Sequence, residues 1–131
     1  MKGLKHVLIF AILNFCAVSL FAQDNAEVTK ALTEGIAKYE KLVKEQPDSA
    51  GVHNVLATYY LYSKDFQKSF DTFQKAIKLS PENYTYYNNT AVVLFQANKL
   101  EEAKAYATKA LSLNPLYSPA YSLIGSAYMK Q

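Results

Sequence analysis

The sequence predicts an all-α fold: an α-α superhelix of six antiparallel helices, arranged as two complete helix pairs flanked by two half-pairs. Two observations predict it. Prolines 47, 81 and 115 are evenly spaced, and the apolar residues between them recur at spacings of three and four. Each proline closes a similar run, as in Lys75-Ala76-Ile77-Lys78-Leu79-Ser80-Pro81 and Lys109-Ala110-Leu111-Ser112-Leu113-Asn114-Pro115. The offset between the prolines also aligns His53 with Tyr87 and Tyr121, Ala57 with Ala91 and Gly125, and Ser69 with Ala103. So many coincidences at one period define a structural repeat.

Each element follows from its apolar stripe. Val52, Val55, Leu56, Tyr59 and Tyr60 mark one face of a first helix. Lys64-Asp65 interrupts it, and Phe66, Phe70, Phe73 and Ile77 carry the spacing onto a second. The next pair shows Tyr87, Ala91, Leu94 and Phe95, then Leu100, Ala103, Ala107, Ala110 and Leu111. Each second helix stops before its proline, because the residue preceding proline is pushed out of the helical region. Small residues serve the crossing of paired helices, with Ala57 expected opposite Ser69 and Tyr60 and Phe73 filling in beside them. Upstream, Leu32, Ile36, Tyr39 and Val43 read as a lone second helix. Downstream, Pro119 behind Ser118 opens a lone first helix. The resulting boundaries are a half-repeat at 25–47, repeats at 50–83 and 84–117, and a capping helix at 118–131.

Composition removes several function classes. The 131 residues fit one ordinary domain, and an apolar share of 50% excludes a disordered chain. The 14 basic residues, all lysine, against 11 acidic ones leave a charge of +3, too weak and too scattered for a nucleic-acid binder. A single cysteine excludes a disulfide framework, and four glycines are too few for a phosphate-cradling loop. Residues 1–22 read as a secretory signal peptide: Lys2 and Lys5, then Val7 to Ala22 with only Asn14 and Ser19 not apolar. Cys16 does not make a lipobox, since Phe15 stands where a small residue is required. The expected mature chain, 23–131, is an exported protein, periplasmic or secreted, with no membrane insertion once the leader is removed.

With these residues in place, the chain resembles the tetratricopeptide repeat (TPR) family. Its 34-residue helix–turn–helix pattern is carried by His53, Leu56, Ala57, Tyr60, Ser69, Phe73, Ala76 and Pro81, and again by Tyr87, Thr90, Ala91, Leu94, Ala103, Ala107, Ala110 and Pro115. A third start gives Tyr121, Ile124, Gly125 and Tyr128. His53 replaces an aromatic, Thr90 a leucine and Ala107 a phenylalanine. The resemblance implies a concave groove lined by first helices that receives a protein or peptide. Carried over residue by residue, the groove comprises Asn54, Thr58, Leu61, Asn88, Asn89, Val92, Phe95, Ser122 and Ser126. That lining is uncharged. Amides pair with donors and acceptors of an extended backbone, and Leu61, Val92 and Phe95 offer contact to apolar side chains. Some family members hold a terminal carboxylate with cations here; with Asn54, Thr58, Ser122 and Ser126 at those places, carboxylate capture is not expected.

No catalytic constellation, cofactor site or metal site is expected. Beyond the leader there is one histidine, His53, with no orienting partner in sequence, so a packed side chain is the favoured reading. Carboxylates four residues from lysines, such as Glu40 with Lys44 and Asp71 with Lys75, read as solvated helix faces. Asn83-Tyr84-Thr85 and Asn88-Asn89-Thr90 match the glycosylation pattern. The expected function is a non-enzymatic interaction scaffold that binds an extended or helical peptide segment in the concave groove. The alternative is a structural subunit of an envelope complex, or a homo-oligomer, docking through its terminal half-repeats.

Overall fold

The computed structural model describes residues 25–131; the expected leader and Cys16 lie outside them. Six helices follow one another: α1 (25–45), α2 (Ala50–Tyr62), α3 (Phe66–Leu79), α4 (Tyr84–Gln96), α5 (Leu100–Leu113) and α6 (Ser118–Lys130). The three first helices α2, α4 and α6 begin on the residues that the repeat boundaries name.

Local chemistry sets the ends. Ser49 accepts from the Val52 amide, Asp65 from that of Lys68 and Asn83 from that of Thr85, satisfying donors that a helix start leaves free. α5 has no such cap but carries Glu101 and Glu102 in its first turn, where negative charge suits the helix dipole. The turn inside each repeat is the same device twice. Lys64 and Asn98 both sit at φ 62°, and the amides of Asp65 and Lys99 reach back to the carbonyls of Tyr60 and Leu94 at 2.9 and 2.8 Å. Asparagine tolerates that left-handed conformation better than lysine does.

Packing alternates between helix pairs. In the first repeat Ala57 and Ser69 are fully buried at the α2–α3 crossing, and the Ser69 hydroxyl donates to the Ala57 carbonyl at 2.7 Å. Around them Ala57, Phe73 and Val93 form a core against which Leu61, Phe66 and Phe70 pack. The second core is built on Ala91, Leu94, Ala103, Ala107, Ala110, Ala120 and Leu123. Long rings extend it outward: Phe70 meets Tyr106 edge-on at 6.0 Å and Tyr84 meets Tyr117 at 4.8 Å. At the start of the array Tyr39 stacks on Tyr59 at 5.4 Å, and a Cβ on Gly35 would run into the Tyr59 ring, 2.6 Å from Cζ.

First helices also touch one another, α2 with α4 and α4 with α6, whereas α3 and α5 make no such close backbone approach. The layer with the tighter spacing is the inside of a curve. α2, α4 and α6 therefore form the concave face, and α3 and α5 lie outside it.

The expected ion pairs are repartnered. Glu40 accepts the Tyr60 hydroxyl at 2.5 Å, and Asp71 accepts from Gln67. Lysine pairs form elsewhere, as in Lys41–Glu45 at 3.7 Å and Lys68–Asp65 at 3.3 Å. Burial of the Tyr60 hydroxyl, followed by its bond to Glu40, pushes its pKa up to about 12. An unfolded tyrosine titrates near 10. The folded state thus favours the protonated phenol: this stability is complete below pH 10 and is lost as pH rises through about 12. The urea midpoint of the wild type should fall between pH 10 and 12 by an amount equivalent to at most ~2 kcal/mol. Tyr60→Phe, which has no phenol to ionise, should show a flatter slope over the same window. Equal slopes in the two proteins would contradict the assignment.

Candidate functional site

The concave layer brings the predicted groove residues onto three adjacent helices, but not in equal states. Asn54 on α2 and Asn89 on α4 are bonded across the helix boundary, with Asn89 Nδ2 donating to Asn54 Oδ1 at 3.0 Å. Both are half-buried, so the pair ties α2 to α4 and still borders solvent. Thr58 is half-buried too, and its hydroxyl donates to the Asn54 carbonyl at 2.9 Å. Ser122 is exposed and Ser126 half-buried on α6.

Asn88 stands differently. It is 6% exposed, and its Oδ1 is buried without a partner. The repeat explains the orphan. Asn54 finds a donor in Asn89; advancing both by one repeat length pairs Asn88 with Leu123, which has none. An unpaired buried acceptor costs about 1–3 kcal/mol.

The apolar members are partly spent on the fold. Leu61 packs on the first core, and Val92 and Phe95 on the second. Each is half-buried and so offers an edge to a ligand. Lys130 Nζ lies over the Phe95 ring at 4.8 Å, which brings a cation to a groove whose sequence-predicted lining carries no charge. Thr58 of the predicted set also borders a cavity of about 330 Å³ on α2, which it lines together with Val55, Tyr59 and Tyr62, the last 69% exposed. Val55 and Tyr59 fall on the apolar stripe of the same helix and read as core in the sequence, whereas Tyr62 lies off that stripe.

His53 has a structural partner. It is 4% exposed, and Nε2 lies 2.7 Å from the Pro47 carbonyl, so Nε2–H donates. Tyr87 and Tyr121, its equivalents, donate their hydroxyls to the carbonyls of Pro81 and Pro115 at 3.0 and 3.1 Å. In all three, the side chain ties a first helix to the loop before it. Among the described residues no group of three His, Cys, Asp or Glu could hold a metal ion. No described helix is long and apolar enough to cross a membrane. Both glycosylation patterns are engaged: Asn83 caps α4, and Asn88 is buried within it.

A family model described as tetratricopeptide repeat matches residues 54–121, just over half of the chain. The chain belongs to the tetratricopeptide repeat family. Among curated TPR relatives, stress-induced-phosphoprotein 1 of Caenorhabditis elegans is 34% identical over 91 residues, covering 64% of this chain and 28% of that protein. The chain thus spans little more than a quarter of that relative. Among solved structures, the first TPR of Spaghetti (RPAP3) bound to the HSP90 peptide SRMEEVD superposes with a TM-score of 0.72. It shares 22% identity and covers 78% of this chain and 81% of that one. MamA gives the same TM-score, with 24% identity and coverage of 76% and 58%. These likenesses bear on the fold. In this TPR chain the groove-side polar groups predicted from sequence are amides and hydroxyls throughout.

Proposed function

We propose that this protein is a non-catalytic interaction module that binds an extended, largely uncharged peptide segment along the inner faces of α2, α4 and α6. The observation that carries this reading is the half-buried Asn54–Asn89 pair, with Thr58 bonded to the Asn54 carbonyl, on the layer where first helices meet. Amide and hydroxyl groups match the alternating donors and acceptors of a peptide backbone. RPAP3, a structural neighbour, holds an HSP90 peptide ending in acidic residues. Beside the groove proposed here stands a single cation, Lys130 over Phe95, where capture of such an end takes several charge-assisted bonds, so it takes an internal segment instead. The reading also places the module outside the cytoplasm, supported by Lys2, Lys5 and the apolar run Val7–Ala22.

The test is peptide selection from a displayed random library against the folded chain. Selected peptides should lose affinity about tenfold in Asn89→Ala, equivalent to about 1.4 kcal/mol. They should be unaffected by Lys78→Glu, an exposed position on α3. Binding insensitive to Asn89→Ala, or strong binding of SRMEEVD, would move the site elsewhere.

A further inference from the structure

In the two intact repeats, the first-helix residues that meet their own second helix are closed off. His53, Leu56, Ala57 and Tyr60 are at most 8% exposed, and Thr90, Ala91 and Leu94 at most 3%, while Tyr87, the equivalent of His53, is half-buried. Advanced to the next repeat, these positions on α6 are Tyr121, Ile124, Gly125 and Tyr128. Here Tyr121 is 56% and Tyr128 64% exposed, and a Cβ on Gly125 would meet nothing within 4 Å. Met129, the equivalent of Leu61 and Phe95, is 86% exposed. α6 therefore displays a first-helix face with no second helix packed on it among the described residues.

The opposite end has the converse: among the described residues no first helix precedes α1. Tyr39 and Leu42 occupy the places of Phe73 and Ala76, both 0% exposed in the intact repeat, yet they are only half-buried. The first core defines what a complete repeat places there. It joins Phe73, Val93 and Phe70 to Ala57 and Leu61. Moved back by one repeat length, the first three become Tyr39, Tyr59 and Ile36, and two of these already stack. Moved back likewise, the place of Ala57 falls outside the described residues and that of Leu61 is Glu27, an exposed carboxylate that does not suit an apolar core. Moved forward from α4, they are Gly125 and Met129.

We infer that α6 of one molecule completes the half-repeat begun by α1 of a second, joining copies of this chain head to tail. The cavity on α2 is the seat. Val55 is the equivalent of Asn89, which in the intact array meets the neighbouring first helix. An incoming α6 lies there, placing Met129 against Tyr39 and Tyr59. Gly35 is already covered by the Tyr59 ring and takes no part. Because the two faces differ, the contact is heterologous and propagates unless the rotation closes a ring.

The test uses the protein recovered from expression of the full chain, with mass followed by light scattering and sedimentation. A tail-blocked variant carries Gly125→Arg and Met129→Glu; a head-blocked variant carries Val55→Arg and Tyr62→Glu. The wild type should associate with rising concentration, and each variant alone should be monomeric with wild-type helicity. Mixed, they should form a one-to-one dimer and nothing larger, since each retains one free face. Should a double variant lose its helical signal, Met129→Glu and Tyr62→Glu alone, both on exposed side chains, replace it. Three results overturn the proposal: a wild type still monomeric at about 0.5 mM, association that survives both blocks, or blocked variants that fail to pair. The first would leave α6 to a different partner.

Discussion

Phe73→Ala is expected to destabilise the protein by about 3–5 kcal/mol. The ring is fully buried and is the largest side chain in that state, touching both α2 and α4 through Ala57 and Val93. Removing it leaves a void beside Ala57 on a rigid crossing. The Ser69–Ala57 hydrogen bond holds that crossing and resists collapse of the void. A domain of this size has only about 5–15 kcal/mol of stability in total. The urea midpoint should therefore fall by roughly a fifth or more, without change in slope. A loss below about 1 kcal/mol would mean that α3 moves in to close the gap.

The fold was legible because the repeat supplies the same evidence several times. His53 alone is ambiguous, but its alignment with Tyr87 and Tyr121 marks a position, and all three turn out to bond a proline carbonyl. Ala57 and Ser69 were expected to meet, and they do. What the pattern could not convey is how far a lone first helix leaves its core positions open. Tyr121 and Tyr128 occupy positions that are core in a complete repeat, so sequence alone places them inside; with no second helix on α6 among the described residues they stand in solvent.

The groove was less legible, for a related reason. First-helix residues in an array have contacts on both sides, so one spacing serves core and groove alike. Leu61, Val92 and Phe95 fall on groove positions by register yet lean on the cores. Asn88 and Asn89 are adjacent and identical in type, yet one is paired and half-exposed while the other is buried with an orphan oxygen. Only the residue one repeat further on, Leu123 against Asn89, separates them. Pairwise reading at the repeat offset would have found that difference, whereas reading helix by helix does not.

Ala107→Phe carries the conflict between pattern and packing to a measurable end. The family pattern favours a large aromatic at this place, and Phe73 provides it in the preceding repeat, so a pattern-based design would install phenylalanine to stabilise the chain. The structure predicts the reverse, a loss of about 1–3 kcal/mol. Ala107 is 0% exposed, as are Ala91, Ala103, Ala110 and Ala120 in the same core. Five alanines at one junction mean that α4, α5 and α6 have settled close together, with bulk supplied by Leu94 and Leu123 and by Phe95 and Tyr106 at the margins. A ring at 107 must part those helices or leave its rotamer well. α6 is the element most easily displaced, because among the described residues only α4 and α5 hold it. Thermal unfolding of the variant should begin earlier, with faster amide exchange in α6 than in α2. A rise in midpoint would show instead that the alanine core holds unfilled space.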